Sequence, residues 1–320
     1  MTEALVTRSR HHGHRPSSSP AELVAGDEAI RAVVPRWHFE MLNDRKRTDA
    51  FEAAIARVVR PRDLVLDIGT GAGLLALLAA RYGAERVVSC EGVEPVADAA
   101  ERVAARNGFD GRISIVRKWS TDVAVGAELP RPADVLVTEV IDCGLVGEGI
   151  VGTMRHAREH LLAPHATIVP ARATVYAQLI ESRWLERLNR VRRVAGFDLS
   201  DFNGLASLAY FPIRLAEVSY RPLAPPVEAL RFDFQCGEYA DERTTVTSVP
   251  AADGMCHAVA LWFRVELVPG IVLSNDPSNM GSHWEQAVQC FASPIPVRAG
   301  RPVELSLWQQ GRHLLVQHLS

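Results

Sequence analysis

The feature that most constrains the fold is an apolar segment that runs directly into three glycines. The segment DLVLDIGTGAG places Gly69, Gly71 and Gly73 immediately after a predicted strand, and the helical pattern LLALLAARYG follows. Glycines at a strand exit let the backbone turn sharply and approach a ligand closely. The sequence therefore predicts a nucleotide-like ligand at the first strand-to-helix turn of an α/β domain.

Further strand-like segments extend this unit. RVVSCEG, ISIVRK and ADVLVTEV are short, apolar and separated by helical patterns. Such alternation is typical of a doubly wound parallel sheet. From Asp27 to Val59, apolar residues recur at helical intervals, which predicts two helices ahead of the sheet. We therefore expect one α/β domain over residues 27–168.

The second half of the chain has a different pattern. EALRFDFQ, HAVALWFRVEL and PVELSLWQQ alternate apolar and polar residues between prolines and glycines, which predicts antiparallel β-structure over residues 169–320. Between them, WLERLNRVRRVAGFDLSDFNGLASLA is amphipathic and predicts a helical island at about 183–209. Residues 1–26 combine Arg, His, Ser and Pro without periodicity, which predicts a flexible tail.

Composition narrows the range of partners. With 48% hydrophobic and 23% charged residues, the 320-residue chain can bury one or two cores. The net charge of -3 gives no bulk attraction to nucleic acid or to an anionic membrane. No apolar window long enough to cross a membrane and no secretory signal is evident, so we expect a cytoplasmic protein. Five scattered cysteines without CxxC spacing, and a histidine cluster in the tail, predict reduced thiols and no metal site.

Two acidic residues bear on the identity of the ligand. Asp67 precedes the glycines, where an anion suits an ammonium-bearing ligand better than a pyrophosphate. Glu91 ends the next strand, where a carboxylate can accept hydrogen bonds from both ribose hydroxyls. Since NAD-binding proteins carry such an acid too, both S-adenosylmethionine and NAD remain open at this point, the latter with an NAD-dependent dehydrogenase as the alternative.

The segment VTEVIDCGLVGEGIVG carries two glutamates nine residues apart, Glu139 and Glu148. At about 100° per residue, a helix would place them on opposite sides. They converge only if the segment folds back as a loop, which Gly144, Gly147 and Gly149 permit. Two facing carboxylates repel unless a cation lies between them, and a planar guanidinium matches them through bidentate hydrogen bonds. The segment therefore predicts a guanidinium site.

These features resemble the protein arginine N-methyltransferase family, from about Trp37 onward. Glu139 and Glu148 look like that family's double-E loop, and SHWEQ looks like its THW loop with Ser282 in place of threonine. HFEMLNDRKRT is similar to the family's N-terminal helix, and GFDLSDF looks like part of its dimerisation arm. The resemblance implies a Rossmann-like class I methyltransferase domain, then an antiparallel β-barrel with a helical dimerisation arm. It also implies S-adenosylmethionine as cofactor and a homodimer.

The resemblance implies roles for individual residues as well. The cofactor would be bound by His38, Met41, Arg47, Asp67, Gly69, Gly71, Gly73, Glu91 and Ser120. Among these, Arg47 would pair with the cofactor's carboxylate, and Ser120 would meet its adenine. Glu139 and Glu148 would hold the substrate guanidinium, and Trp284 would wall its pocket. Asp44 and His283 would form a hydrogen-bonded pair that takes up the released proton.

Details of the same segments bear on the acceptor and the product. IDCGLVGEG is closer to the monomethylating, type III members of the family, although those commonly have two tandem modules. The family's aromatic YFxxY helix is not evident before Trp37, which favours free L-arginine over arginine in a peptide, as in relatives that make guanidine-derived metabolites such as streptozotocin. We expect omega-N-monomethylarginine as product. The intact Glu139, Glu148 and His283 argue against the alternative of a non-catalytic regulator.

Overall fold

The computed structural model describes residues 34–319. The chain divides into two compact units, Met1–His38 and Phe39–Ser320. In the described end of the first unit, the Trp37 and His38 rings stack with their centroids 3.9 Å apart. The predicted tail and the beginning of the predicted helical region at Asp27 lie outside the described residues.

A parallel sheet forms the first part of the second unit. Its strands are ordered β3-β2-β1-β4-β5, and all neighbouring strands are parallel. In chain order the elements are α1 (Trp37–Asn43), α2 (Arg45–Val58), β1 (Leu64–Ile68), α3 (Leu74–Arg81), β2 (Arg86–Cys90), α4 (Glu94–Arg106), β3 (Ile113–Val116), a 3-10 turn (Ser120–Asp122), β4 (Ala133–Thr138), α5 (Ile150–His160) and β5 (Leu162–Val169). The predicted doubly wound sheet is confirmed.

The strand order reverses between β1 and β4, and the carboxyl ends of strands at such a switch point are where sheets of this kind bind ligands. Every residue of β1 is buried, as expected for a central strand that is covered on both faces. The glycine turn follows β1, and Glu139 follows β4 directly. The topology therefore brings the two segments that the sequence singled out to one place.

An antiparallel β domain follows, and the predicted fold class is confirmed. One sheet of seven strands is built around β6, β13 and β15, and a second sheet has the order β12-β16-β17. The elements are β6 (Arg172–Glu181), α6 (Arg183–Asn189), β7 (Arg193–Val194), β8 (Phe197–Asp198), a 3-10 helix (Ser200–Leu205), β9 (Phe211–Ile213), a 3-10 turn (Leu215–Glu217), β10 (Arg221–Pro222), β11 (Val227–Asp233), β12 (Arg243–Ser248), β13 (Gly254–Val268), β14 (Ile271–Ser274), β15 (Gln286–Val297), β16 (Val303–Gln310) and β17 (His313–Leu319). One hydrophobic cluster includes buried residues of both the parallel and the antiparallel sheets.

The segment predicted as a helical island is only partly helical. After α6, strands β7 and β8 pair as a hairpin, and the 3-10 helix Ser200–Leu205 follows. Ala195 and Gly196 have φ of +49° and +89°, as a tight two-residue hairpin turn requires. The Asn203 side chain both donates to and accepts from the Val191 backbone, at 2.8 Å each. The helical prediction was wrong here because amphipathic spacing does not reveal a two-residue turn.

Candidate active site

The glycine turn after β1 is tightly packed at its start. Gly69, Gly71 and Gly73 all have positive φ, between +52° and +83°, a region that other residues rarely adopt. A Cβ at Gly69 would lie only 2.9 Å from Cγ1 of Val140. The Gly71 N–H donates to Oε2 of Glu91 at 3.1 Å, so this carboxylate is fixed beside the turn.

Asp67 is a wholly buried carboxylate directly before the turn. Its Oδ2 accepts a hydrogen bond from the Ser89 hydroxyl at 2.6 Å, whereas Oδ1 has no partner among residues 34–319. Burial raises the pKa of Asp67 to about 7, against the opposing effect of the Ser89 hydrogen bond. A buried acceptor without a donor is costly, so Asp67 is prepared for a donor that a ligand brings.

Arg47 lies on α2 with 3% of its side chain exposed. Its Nη2 donates to Oε2 of Glu139 at 2.7 Å, and its guanidinium carbon lies 5.3 Å from the centre of the Phe51 ring. Nε and Nη1 are buried and find no acceptor in the described part of the chain. The resemblance implied a pairing with the cofactor's carboxylate, and these two donors remain for it while Nη2 holds Glu139.

These groups fit the two ends of an amino acid and a ribose. Asp67 offers an acceptor for an ammonium group, Arg47 offers donors for a carboxylate, and Glu91 lies beside the turn for ribose hydroxyls. S-adenosylmethionine carries all of these groups. Met41 on α1 and Ser120 in the 3-10 turn are both buried, and their predicted contacts with the cofactor stay predictions. The same holds for His38, which belongs to the first unit.

Residues 139–149 form a loop that carries both candidate acceptor glutamates. Glu148 is half-buried, and burial raises its pKa to about 7. The negative charges of Glu139 and Asp142 act in the same direction, whereas the positive charge of Arg312 opposes them. The loop thus brings the two glutamates close enough to repel each other, and a cation between them would relieve that repulsion.

The sequence analysis expected Gly144, Gly147 and Gly149 all to provide backbone freedom in this loop, and only one of them does. Gly149 does have a left-handed backbone, with φ of +93°, but the other left-handed residue is Leu145, with φ of +78°. Gly144 and Gly147 do not have positive φ. Their contribution is space, because a Cβ at either position would collide with neighbouring side chains. The expectation was therefore right for Gly149 and wrong for the other two.

Sequence reasoning missed the residues that fill this space, Asp142 and Tyr210. The Tyr210 hydroxyl donates to Oδ2 of Asp142 at 2.6 Å, and Oδ1 accepts from the Gly147 N–H at 2.8 Å. A Cβ at Gly147 would lie 2.3 Å from the Asp142 carboxylate, and one at Gly144 would lie 2.7 Å from the Tyr210 ring. Burial raises the pKa of Asp142 and of Tyr210. Tyr210 thus ties Asp142 of the loop to the β domain, and no spacing in the sequence reveals a contact across 68 residues.

Asp44 and His283 are in direct contact. Asp44 caps α2 through Oδ1, which accepts from the Arg47 N–H at 3.0 Å. Its Oδ2 contacts Nδ1 of His283 at 2.9 Å and accepts from the His283 N–H at 3.0 Å. Burial would raise the pKa of Asp44, but hydrogen bonds from Arg47 and His283 outweigh it and the pKa is lowered. Burial lowers the pKa of His283 below its ordinary value despite Asp44, which favours the neutral imidazole. With Nδ1–H assigned as the donor to Asp44, Nε2 is the nitrogen that accepts a proton.

Trp284 is buried behind the acidic loop, and its Nε1–H donates to the Ile141 carbonyl at 3.0 Å. Asn275, which the sequence analysis did not single out, is fully buried and donates through Nδ2 to the Cys143 carbonyl at 2.9 Å. Together with Tyr210, these two side chains of the β domain hold the loop that carries Glu139 and Glu148 in place. That Trp284 also walls the substrate pocket stays a prediction.

The composition led to three further expectations, on metal sites, on membrane spans and on the cysteine thiols. Across the described residues no group of His, Cys, Asp and Glu is arranged to hold a metal ion. No helix of that stretch is long and apolar enough to span a membrane. All five cysteines carry free thiols.

The sheet order, the glycine turn and the groups that fit S-adenosylmethionine define a Rossmann-like methyltransferase. Family models agree with this class. Residues 48–147 match the ribosomal protein L11 methyltransferase (PrmA) family, and residues 171–316 match the arginine methyltransferase oligomerization subdomain.

Similar proteins identify the family. An arginine N(omega)-methyltransferase from Streptomyces achromogenes subsp. streptozoticus is 39% identical over 91% of this chain and 81% of its own length. Protein arginine N-methyltransferase 7 of Drosophila erecta is 32% identical over 83% of this chain, which spans 45% of that protein, or about half its length. The chain belongs to the protein arginine methyltransferase family and is an S-adenosylmethionine-dependent arginine N-methyltransferase. This sets aside the dehydrogenase and the non-catalytic regulator.

Solved structures share the fold. A chain of the Trypanosoma brucei PRMT1 enzyme-prozyme heterotetrameric complex with AdoHcy has a TM-score of 0.74 and 22% identity, and the match covers 88% of this chain and 95% of that one. Arabidopsis thaliana protein arginine methyltransferase 10 has a TM-score of 0.67 and 22% identity, with 84% and 86% covered. Both cover the parallel and the antiparallel domains together.

Proposed function

We propose that this enzyme transfers one methyl group from S-adenosylmethionine to a guanidino nitrogen of free L-arginine and releases omega-N-methylarginine. The observation that carries the proposal is the loop that holds both Glu139 and Glu148, with the pKa of Glu148 raised to about 7 by burial and by the negative charges of Glu139 and Asp142. Such a site favours a cation. The Streptomyces relative, whose name specifies arginine as its substrate, supports the free amino acid.

The two glutamates activate the acceptor by holding its charge. A guanidinium nitrogen is a poor nucleophile because its lone pair is delocalised, and with a pKa above about 12 it does not yield a proton to a glutamate. Glu139 and Glu148 bind the nitrogens that do not react, which leaves more electron density on the third. Arg47 fixes one carboxylate, and Asp142 with Tyr210 fixes the loop. Positioning and preorganised charge together lower such a barrier by several kcal/mol.

The cofactor contributes the electrophile. When bound, S-adenosylmethionine supplies a methyl group on a positively charged sulfur. Asp67 would hold its ammonium, Arg47 its carboxylate and Glu91 its ribose, with Gly69 and Gly71 forming the turn that lets the ligand approach. Ser120 and Met41 complete the proposed site.

His283 takes up the proton that the methylated nitrogen loses. Burial lowers the pKa of the imidazole and so favours its neutral form, and Asp44 orients it through Nδ1 so that Nε2 is the basic nitrogen. The Asp44 carboxylate then stabilises the imidazolium by charge. Asp44 is thus a positioning residue, whereas His283 would contact the reacting nitrogen.

We infer a single methylation. The loop IDCGLVGEG resembles that of type III family members and lacks the methionine that dimethylating members usually carry there. Mass spectrometry of the product after long incubation tests this, and accumulation of dimethylarginine would contradict it.

We also infer a homodimer formed through the arm at about 183–209. Apolar side chains of the arm are exposed, with Phe197 at 72%, Phe202 at 67% and Leu205 at 77%. A second copy would cover them, and the match to the oligomerization subdomain supports this. Sedimentation of a Phe202→Ser, Leu205→Ser variant should show monomers where the wild type shows dimers.

We also propose that residues 27–168 form the cofactor domain and that residues 169–320 form the β domain.

The decisive test of the acceptor site is Glu148→Gln. This change removes the charge but keeps the shape, so we expect cofactor affinity by calorimetry within about twofold of wild type and methylation of L-arginine reduced by at least about 100-fold. Glu159→Gln, an exposed glutamate on α5, is the matched control. Near-normal turnover of Glu148→Gln would refute the charge-holding role. Parallel assays with labelled cofactor and an arginine-rich peptide decide between free and peptidyl arginine.

A further inference from the structure

A cation from the C-terminal hairpin lies beside the acidic loop. Gly311 and Arg312 form the two-residue turn between β16 and β17, whose flanking residues Gln310 and His313 are paired. The side chain of Arg312 lies against Gly149, because a Cβ there would be 3.2 Å from its Nε and 3.5 Å from its Cγ. Gly149 follows Glu148 directly. The hairpin thus places a positive charge next to one of the two acceptor glutamates.

This arrangement is unexpected for a site that binds only a cation. No carboxylate among residues 34–319 lies within ion-pairing distance of Arg312, yet its charge acts on Glu148. A fixed cation at this position repels an incoming guanidinium and weakens the field of the glutamates. The arrangement becomes favourable when the substrate also carries an anion at some distance from its guanidinium.

Free L-arginine is such a substrate. In an extended side chain, its carboxylate lies roughly 7 Å from the guanidinium carbon, as standard bond lengths dictate. Arginine within a peptide has a neutral amide there instead. Glu148 is half-buried and Arg312 is exposed, so a ligand that enters with its guanidinium first keeps its carboxylate near the surface, where Arg312 is the cation next to the loop.

We propose that Arg312 is a specificity-determining residue that binds the α-carboxylate of free L-arginine while Glu139 and Glu148 hold the guanidinium. This rests on the proposed function and extends it, since it names the group by which the enzyme tells the free amino acid from a peptide. A guanidinium suits the role because it binds a carboxylate through two parallel hydrogen bonds. The short hairpin turn fixes the backbone position of Arg312 relative to β16 and β17.

The test compares Arg312→Gln with wild type on L-arginine and on L-argininamide, in which a neutral amide replaces the carboxylate. Assays run at saturating cofactor and pH 8.5, above the raised pKa of Glu148. We expect wild type to prefer L-arginine by about tenfold or more in kcat/KM. In Arg312→Gln, KM for L-arginine should rise about tenfold with kcat little changed, and KM for L-argininamide should not rise. Arg301→Gln, which removes another exposed arginine of the β domain, should behave as wild type.

Each contrary result has its own meaning. An equal rise in KM for both acceptors would overturn the assignment and show that Arg312 acts on the loop itself. A wild-type enzyme that methylates the two acceptors equally would also overturn it, while the proposed function would stand. A wild-type enzyme that methylates only peptides would overturn the proposed function and also the role assigned to Arg312. If Arg312→Gln does not fold, Arg312→Lys replaces it, with an intermediate KM for L-arginine expected and wild-type KM for L-argininamide.

Discussion

Nη2 of Arg47 donates to Oε2 of Glu139 at 2.7 Å, and at least 94% of each side chain is buried. This ion pair makes the two acceptor glutamates inequivalent. Glu139 is already held by a cation of the protein itself, whereas Glu148 has a pKa raised to about 7. The ionisation of Glu148 is therefore the part of the site that responds to substrate and to pH.

Replacing Arg47 with lysine should weaken cofactor binding and also disturb the acceptor site through Glu139. A lysine keeps the charge, but one ammonium cannot reproduce the fork that holds Glu139 through Nη2 and leaves Nε and Nη1 for a carboxylate. We expect cofactor affinity by calorimetry to fall about tenfold and kcat/KM for L-arginine to fall about 100-fold. Arg57→Lys, at an exposed position of α2, is the control. Unchanged affinity for the cofactor would mean that Arg47 holds Glu139 but does not bind the cofactor.

The rate should depend on pH through Glu148. Because its pKa is raised to about 7 and only the ionised form binds a guanidinium, kcat/KM for L-arginine should rise about tenfold per pH unit below 7 and level off above it. Bound guanidinium favours the ionised form, so kcat at saturating arginine should level off at a lower pH. The profile is measured with saturating cofactor, since the pKa of Asp67 is also raised to about 7. A flat kcat/KM between pH 6 and 8 would show that Glu148 stays ionised throughout.

The sequence predicted the features that depend on neighbouring residues and failed where distant segments meet. The glycine turn, the strands of the parallel sheet and the return of the loop from Glu139 to Glu148 follow from local spacing. Tyr210, which donates to Asp142, the buried Asn275 and the cation Arg312 all reach the loop from segments that are remote in sequence. The periodicity of apolar residues carries no information on such contacts. It also predicted helix where β7 and β8 form a hairpin around Ala195 and Gly196.

The absence of a side chain at Gly147 should be essential for the conformation of the loop. A Cβ at this position would lie 2.3 Å from the Asp142 carboxylate and 2.7 Å from the Tyr210 hydroxyl, so Gly147→Ala must displace one of them. We expect kcat/KM for L-arginine to fall by about 100-fold, because a shift of about 1 Å in a reacting group has that effect. Gly152→Ala, on α5 where nothing lies within 4 Å, should keep full activity. Full activity in Gly147→Ala would mean that the loop tolerates a displaced Asp142.

Asp44 performs two tasks that a pair of variants can separate. Its Oδ1 caps α2, and its Oδ2 holds His283 through both the ring and the backbone. Asp44→Ser keeps a side-chain acceptor for the cap but removes the anion beside the imidazole, whereas Asp44→Ala loses both. We expect Asp44→Ala to lower the thermal midpoint by a few degrees, because a lost cap costs about 1 kcal/mol, and Asp44→Ser to lower it less. Both variants should lose kcat by about 100-fold with KM for L-arginine little changed, since proton uptake by His283 follows substrate binding. If kcat instead fell only in Asp44→Ala, in step with stability, Asp44 would act through the helix and His283 would need no carboxylate partner.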